Sequence, residues 1–397
     1  MLMNKIKCLY LTAGIAASIA LSSCEKEYTN YSVSNATLQE YLEKFLYEAE
    51  ARGVKSLNPQ KTGLKMYFGD CDEGAAGVTY YENPIRIVID KEIWDKYADY
   101  ADGTSQNEHT VFHELGHGLL YRKHDNSTLS SGEWATMMAG DPLPSGSIPN
   151  TNFRGERRTY YLDRLFNPND KKEPNWAKPT FDDPTEGLTK MVDDDFSSTY
   201  DASHITLRDA REYTTKISNG EFVFQNKSTN NYIVPLQNVT AVNGGDVYVE
   251  TEVKIEGSNK IFTLEFGSRE ESGQDTKYTY HYMSFYDTRI RLGNMMCYAP
   301  YCQIKSPKNI YGDDFVKIGI RKQGDYIYYF VDGECIYKDI VDTNISGTNY
   351  GFIVYANSTL RMKNFRIWND GTVSLYKSSA ETEPQIINIE KRETHNR

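Results

Sequence analysis

Residues 111–125 read VFHELGHGLLYRKHD and hold three of the seven histidines of the chain. Apolar residues recur every four positions from Val111 to Leu119, which predicts a helix with one buried stripe. On such a helix His113 and His117 lie one turn apart, separated by a rise of about 6 Å, and point to the same side. The stretch therefore predicts two imidazoles that can bind the same metal ion.

The residues around these histidines suit the chemistry of a hydrolytic zinc site. Zinc binds imidazole nitrogen readily, and a catalytic zinc keeps three protein ligands and one open position for water. Glu114 can act as the general base for that water, which is what the pattern HExxH provides. His124 is the candidate third ligand, and Asp125 is the reserve. The competing interpretation is a chance match on a histidine-rich helix.

The segments before this helix predict both helix and strand. Residues 36–53 place apolar side chains at helical spacing and end in glycine, which predicts an amphipathic helix. Residues 84–90, PIRIVID, alternate with a period of two, which predicts a strand. Such a strand can lie at a sheet edge, where a peptide pairs with it, or inside the sheet, and the sequence leaves both open. Ser105 and Glu108 form a capping box, which predicts the start of the histidine helix.

The first residues have the features of an exported lipoprotein. Lysines precede an apolar stretch, residues 9–21, that is too short to cross a bilayer. Residues 21–24, LSSC, resemble the lipobox at which bacterial lipoproteins are cleaved and lipidated. We therefore expect a signal peptide over residues 1–23, a lipid on Cys24 and a tether over residues 24–35. The charges after the cysteine favour a surface-exposed outer membrane lipoprotein, and the alternative is an ordinary secretory signal with a chance cysteine.

The composition limits the class of protein. A net charge of -11 and a pI near 5.3 argue against a nucleic-acid partner, because binding phosphates requires a basic face. A chain of 397 residues with 39% hydrophobic content exceeds what one core usually supports. Two domains are therefore expected.

The pattern changes after residue 166. Residues 167–187 are rich in proline and charge, which predicts a linker. Most later segments alternate with a period of two, as DVYVETEVKIEG does at 246–257. The Asp-Gly pair at 332–333 is a strong hairpin signal. We therefore predict a β-sandwich over residues 188–375 and a polar tail over residues 376–397.

The histidine stretch resembles a known group of enzymes. HELGHGLLYRKHD, followed by SGEWATMMAG, is similar to the metzincin-like zinc metallopeptidases, which have a third histidine after HExxH and a methionine turn beneath the metal. EARG at 50–53, GDC at 69–71 and Trp94 are similar to landmarks of zinc-binding metallopeptidase lipoproteins of the Bacteroides type. The resemblance covers residues 36–166. The chain departs from the metzincin tract HExxHxxGxxH, because Leu120 occupies the glycine position and the third histidine comes one residue late.

That resemblance implies a fold, an activity and a set of site residues. It implies an α+β zincin-like catalytic domain over residues 36–166 with Zn²⁺ as its cofactor. The implied zinc ligands are the three histidines of the stretch, His113, His117 and His124. Glu114 is the implied base, and Met138 is the implied methionine turn, although a methionine also simply fills cores. The implied activity is that of a lipid-anchored endopeptidase that hydrolyses extracellular proteins or glycoproteins with zinc-bound water.

The second half resembles the concanavalin A-like and laminin-G-like jelly rolls. The resemblance rests on DDDFSS at 193–198, YYFVDGECIY at 328–337 and YGFIVYANSTLRMKNFRIW at 350–368. Such domains often bind glycans, and exposed tyrosines can stack on sugars, although tyrosine also suits strand surfaces. The alternative function for the whole chain is a non-catalytic surface lipoprotein that binds glycans or proteins and has a degenerate zincin domain.

Overall fold

The computed structural model of the protein describes residues 30–71, 74–98, 103–140, 152–197, 207–236, 245–257, 260–271, 277–286, 289–294, 302–305, 314–341, 349–371 and 386–387. The predicted signal peptide, Cys24 and most of the predicted polar tail lie outside these residues. In this described part of the chain, no helix is both long and apolar enough to cross a bilayer.

A four-stranded mixed sheet organises the first part of the chain. Its strands are β1 (Ser32–Val33), β2 (Lys65–Gly69), β3 (Gly77–Tyr80) and β4 (Arg86–Asp90), in the order β1-β2-β4-β3. β2 runs parallel to β1 and to β4, and β3 runs antiparallel to β4. The strand predicted from PIRIVID is therefore internal, and β3 and β1 form the two edges of the sheet in the described residues.

Helices pack on this sheet and share its core. They are α1 (Ala36–Ala51), α2 (Pro59–Thr62), α3 (Lys91–Ala98), α4 (Gly103–Leu120) and α5 (Gly155–Phe166). α1 buries the predicted apolar stripe, which includes Leu38, Leu42 and Phe45. Residues of α1, β4, α4 and α5 meet in one hydrophobic cluster. Burial of these faces holds the histidine helix in place.

α4 begins and ends differently from the prediction. It begins at Gly103, two residues before the predicted capping box. The carboxylate of Glu108 binds Lys44 at 2.9 Å and Arg158 at 2.6 Å, so the predicted capping role is wrong. Both partners are distant in sequence, which is why local spacing did not reveal them. After the last helical residue, Tyr121 turns the chain with a φ of 53°.

Two large antiparallel sheets form the second part of the chain. Their strands are β5 (Thr189–Asp194), β6 (Arg208–Asp209), β7 (Tyr213–Ser218), β8 (Glu221–Asn226), β9 (Asn231–Leu236), β10 (Val247–Gly257), β11 (Ile261–Glu271), β12 (Lys277–Tyr286), β13 (Arg289–Asn294), β14 (Cys302–Lys305), β15 (Val316–Gln323), β16 (Tyr326–Val331), β17 (Glu334–Ile340), β18 (Asn349–Val354), β19 (Ser358–Asn369) and β20 (Ile386–Ile387). Within the described ranges, the nine-stranded sheet has the order β17-β16-β15-β10-β19-β8-β7-β6, with β5 also paired to β19. The seven-stranded sheet has the order β14-β13-β12-β11-β18-β9-β20.

The inner faces of the two sheets enclose one hydrophobic core. Val249 and Ile320 come from the nine-stranded sheet, Leu264 and Met283 come from the seven-stranded sheet, and each is at most 1% exposed. Alternate residues of the same strands form the two outer faces, because successive side chains on a strand point in opposite directions. The second part is therefore a β-sandwich.

The tight turn between β16 and β17 is confirmed. Asp332 and Gly333 have φ values of 51° and 85°, and Val331 pairs with Glu334 across the turn. Positive φ at both central residues is what a type I′ hairpin requires.

The predicted linker, residues 167–187, packs against other parts of the chain. Trp176 lies in a 3₁₀ turn at Asn175–Ala177 and is 4% exposed. The ring centroid of Phe181 lies 4.7 Å from that of Tyr328 in the sandwich. The exact domain boundaries stay a prediction.

Strands carry most of the regular structure in the described part of the chain. The predicted fold class had two parts, an α+β zincin-like catalytic domain followed by an all-β jelly-roll sandwich. The prediction of the zincin-like domain is wrong. The physical reason is that the histidine pattern is local to one helix. A fold is set by pairings between distant segments, which such a pattern does not encode.

Candidate metal centre

α4 and the turn after it bring three imidazoles together. The Nε2 atoms of His113 and His117 are 3.0 Å apart, as expected for residues one helical turn apart. The Nε2 of His124 lies 3.4 Å from that of His113. Ligand atoms of the three residues all lie within 4.8 Å of one another. The structure thus gathers all three histidines that the sequence proposed as ligands.

The outer nitrogens of two rings are fixed by backbone carbonyls. The Nδ1 of His113 is 2.7 Å from the carbonyl oxygen of Met137, and the Nδ1 of His117 is 2.6 Å from that of Arg122. A carbonyl oxygen only accepts, so each Nδ1 donates its proton and leaves a lone pair on Nε2. Both lone pairs therefore face the common centre, the arrangement found for histidine ligands of metals.

The third histidine reaches the centre through a longer turn than the metzincin tract has. Tyr121 reverses the chain, and the N–H of Arg122 donates to the carbonyl of Gly116 at 3.0 Å. The ring of His124 then packs on Gly140, where an added Cβ would lie 2.2 Å from the ring. Asp125 is not among the described residues that converge on the centre, because its carboxylate accepts from Ser127 N–H instead.

The donor set fits zinc. Zinc takes imidazole nitrogen at about 2.0–2.1 Å in tetrahedral geometry, which places neighbouring nitrogens roughly 3.3 Å apart. The separations of the His113 Nε2 from the Nε2 atoms of His117 and His124, 3.0 and 3.4 Å, bracket that value. When bound, the ion supplies a strong cross-link among the three rings and draws electron density from the fourth group in its shell.

Burial favours the neutral form of the His113 and His117 rings. Burial lowers the pKa of His113 to about 4, although the hydrogen bond to the Met137 carbonyl acts to raise it. Burial, followed by the neighbouring His113, also lowers the pKa of His117. Neutral imidazole is the form that binds a metal ion, so the apoprotein is ready to bind metal at neutral pH.

Glu114 lies beside the three imidazoles on the side of the edge strand β3. Its side chain is buried, and its carboxylate accepts a hydrogen bond from the hydroxyl of Thr79 at 2.7 Å. Burial raises the pKa of Glu114, although the Thr79 hydrogen bond and the charges of His117 and His124 lower it. Gly77 leaves the room for this side chain, since an added Cβ would lie 2.7 Å from its Cγ. The role of Glu114 as a base stays a prediction of the motif.

Met138 lies beneath the histidine helix. It is 3% exposed, and its sulfur would be 2.9 Å from a Cβ added to Gly116, the residue before His117. The preceding Met137 supplies the carbonyl that orients His113. The assignment of Met138 as a methionine turn stays a prediction.

Several residues at the site carry no signal in the sequence. The hydroxyl of Tyr81 lies 3.3 Å from the Nδ1 of His117, and the hydroxyl of Thr79 donates to Glu114. Both residues belong to the short segment GVTYY, which contains no recognisable site motif. Gly77 and Gly140 have no side chain, which leaves room for the side chains of Glu114 and His124. The sequence does not show which residues pack against these glycines. Strand patterning predicts where such residues lie along a strand but not what they contact.

Comparisons by sequence give no family. No protein family model matches the sequence. No curated protein matches it either.

Solved structures match about half of the chain. A protein of unknown function with a galectin-like fold from Bacillus subtilis has 10% identity and a TM-score of 0.35, and the match covers 45% of this chain and 97% of that one. The laminarinase catalytic domain from Thermotoga petrophila has 10% identity and a TM-score of 0.32, with 47% and 99% covered. The kappa-carrageenase from Pseudoalteromonas carrageenovora has 12% identity and a TM-score of 0.30, with 46% and 96% covered.

These comparisons correct the prediction of a metallopeptidase. The similar structures are β-sandwich proteins of the jelly-roll kind, including carbohydrate-binding and carbohydrate-cleaving domains, and not metallopeptidases. The identification as a metzincin-like zinc metallopeptidase, its zincin fold and its hydrolase and protease activity are therefore wrong. HExxH places two imidazoles and a carboxylate on one helical turn, and any fold with such a helix can present them. The departures at Leu120 and Lys123 from the metzincin tract agree with this correction.

Proposed function

We propose that this chain is a lipid-anchored surface protein that binds one zinc ion with His113, His117 and His124 and binds glycans with its β-sandwich. The observation that supports the zinc site is the convergence of the three Nε2 atoms, together with the hydrogen bonds that already commit the outer nitrogens of His113 and His117. Because His124 lies on the loop that follows α4, the ion would fasten this loop, residues 124–138, to the helix.

Metal analysis of the purified full-length chain tests the zinc site. We expect about one zinc per chain after desalting and a dissociation constant that a chromophoric chelator can measure in competition. A chain that loses its zinc on desalting and does not compete with the chelator would remove this part of the proposal.

The outer face of the nine-stranded sheet supports the glycan part. Trp368, Tyr248, Arg321 and Tyr328 occupy directly paired positions on four neighbouring strands. Trp368 and Tyr328 at the two ends of this row are half-buried, whereas the two central residues are buried. Arg366, beside the row, binds Asp193 at 2.8 Å. Aromatic rings that stack on sugar C–H groups, next to charged groups that bind hydroxyls, are the elements of a carbohydrate site.

A glycan array probed with the full-length chain tests this assignment. Removing the ring at one end of the row by Trp368→Ala should weaken binding of a glycan found on the array about 2- to 13-fold, the contribution of one aromatic contact. Tyr47→Ala is the matched control, since Tyr47 is 71% exposed on α1, away from the sandwich, and should leave binding unchanged. If the chain binds no glycan on the array, the proposal that the β-sandwich binds glycans is wrong.

The proposed lipid anchor rests on the sequence around Cys24. Metabolic labelling with a fatty-acid probe should mark the wild-type chain and not the Cys24→Ala variant. Protease treatment of intact cells should then remove the labelled chain if it faces outward. Equal labelling of both proteins would rule out Cys24 as the lipid site.

A further inference from the structure

The edge strand β17 of the sandwich contacts the loop that carries the third histidine. Tyr337 and Asp339 lie on β17, and Glu133 lies in the loop of residues 124–138. Between them stands Arg157 of α5, which is 3% exposed. The four side chains are buried, so this contact between the two halves of the chain is made by polar groups removed from water.

Arg157 is the centre of this contact. Its Nε donates to a carboxylate oxygen of Glu133 at 2.8 Å, and its Nη2 donates to the Lys338 carbonyl at 2.7 Å. The centres of the Trp176 and Tyr337 rings lie 4.3 and 4.8 Å from its guanidinium carbon. The hydroxyl of Tyr337 also donates to Glu133 at 3.4 Å. One guanidinium therefore joins the loop, α5, the 3₁₀ turn and the sandwich.

A second ion pair extends the network on the sandwich side. The carboxylate of Asp339 binds Arg154 at 3.2 Å and accepts from the side-chain amide of Asn152 at 3.0 Å. Burial alone would raise the pKa of Asp339, but the charges of Arg154 and Arg157 hold it below its ordinary value. Two guanidiniums and two carboxylates therefore balance one another inside the interface.

The same loop supports two of the three imidazoles. It begins at His124, and near its other end the Met137 carbonyl orients His113. The backbone N–H of Asp125 donates to the Met138 carbonyl at 2.9 Å, which ties the two ends together. Glu133 therefore lies in a segment that carries His124 at one end and the carbonyl that orients His113 near the other.

We propose that the buried network of Glu133, Arg157, Tyr337 and Asp339 is a positioning device through which the β-sandwich holds the histidine centre in its metal-binding geometry. This inference rests on the proposed zinc site. Its four members touch no metal and act through the loop and the Met137 carbonyl. The sandwich thereby has a second role, as the support on which the metal centre is assembled.

Breaking one member has a predictable sign. Removing Arg157 leaves the carboxylate of Glu133 buried without its cation, which is strongly unfavourable, so the loop must move to expose it. Removing only the Asp339 charge or the Tyr337 hydroxyl perturbs the network from the sandwich side and leaves the loop sequence intact. Coupling through packed networks of this kind changes affinity by about 2- to 30-fold.

The experiment compares zinc affinity and the cobalt spectrum in the full-length chain. Arg157→Met, Asp339→Asn and Tyr337→Phe are titrated with zinc against a chelator, and the visible d–d bands of the Co²⁺ form report the ligand geometry. Arg361→Met is the matched control, because it breaks an ion pair with Glu256 in the sandwich, away from the interface. Thermal unfolding of every variant separates loss of the fold from loss of the site.

We expect the three network variants to bind zinc about 2- to 30-fold more weakly and to shift the cobalt bands, whereas the control behaves as wild type. If Arg157→Met fails to fold, the zinc affinities and cobalt spectra of Asp339→Asn and Tyr337→Phe test the positioning role. Unchanged affinity and unchanged cobalt bands in folded network variants would overturn the positioning role. A wild-type chain that binds neither metal would instead overturn the zinc proposal itself, so the two failures are distinguishable.

Discussion

His109 should make the apoprotein sensitive to acid without being a metal ligand. It lies one turn before His113, its Nε2 is buried without a hydrogen-bond partner within the described residues, and its ring packs edge-on against Phe153. Burial, and to a lesser degree the neighbouring His113, lowers the pKa of His109 from 6.5 to about 3. The folded protein therefore resists protonating this ring.

The sign and size of the effect follow from this difference. Because the folded-state pKa is depressed, the unfolded chain takes up the proton first, so the stability present above pH 6.5 is lost as the pH falls toward about 3. At about pH 5 the unfolded chain gains about 2 kcal/mol from protonating this one residue, and at about pH 8 it gains almost nothing. His109 alone should therefore lower the free energy of unfolding by about 2 kcal/mol between these pH values.

Denaturant unfolding in the presence of a chelator measures this difference. His109→Gln and His109→Phe remove the titrating group, so their unfolding free energies should fall about 2 kcal/mol less than that of wild type between about pH 8 and pH 5. The value at the higher pH serves as each variant's own reference and cancels any change in packing. Equal pH dependence in wild type and both variants would refute the buried, neutral state of His109.

The remaining predictions concern the centre itself. His124→Ala should weaken zinc binding by at least about 100-fold in the chelator assay, since losing only a residue that orients a ligand costs about 10- to 100-fold. Asp125→Ala should change the zinc affinity little. A larger loss of affinity in Asp125→Ala than in His124→Ala would make Asp125 the third ligand instead of His124. Gly140→Ala should weaken binding with all three ligands present, because its Cβ would lie 2.2 Å from the His124 ring. Gly77→Ala should lower the free energy of unfolding by about 1–3 kcal/mol through overpacking against Glu114, and an unchanged melting temperature would contradict that contact.

Local sequence patterns predicted helices, strands and turns, but they did not predict contacts between residues that are distant in sequence. The spacing of Leu38 and Leu42 predicted α1, and the Asp-Gly pair at 332–333 predicted a hairpin, because each depends on neighbours in sequence. The spacing of His113 and His117 likewise predicted their meeting. The partners of Glu108 were missed because they lie on other helices.

The family inference failed for a related reason. HExxH and a nearby third histidine describe a ligand set that one helix and one turn can supply, so the pattern does not specify the fold around them. The interface of Glu133 and Arg157 with β17 had no signal at all, since it joins segments about 180 residues or more apart in sequence. Such contacts depend on how the two halves pack, which patterning within each half does not encode.

X-ray absorption at the zinc edge of the zinc-loaded, full-length chain tests the proposed zinc site. We expect three imidazole nitrogens at about 2.0–2.1 Å around one ion, with the imidazole signal reduced by one ring in the His124→Ala variant. A spectrum with sulfur ligands, with fewer than three imidazoles in the wild-type protein, or with no change in the variant would contradict it.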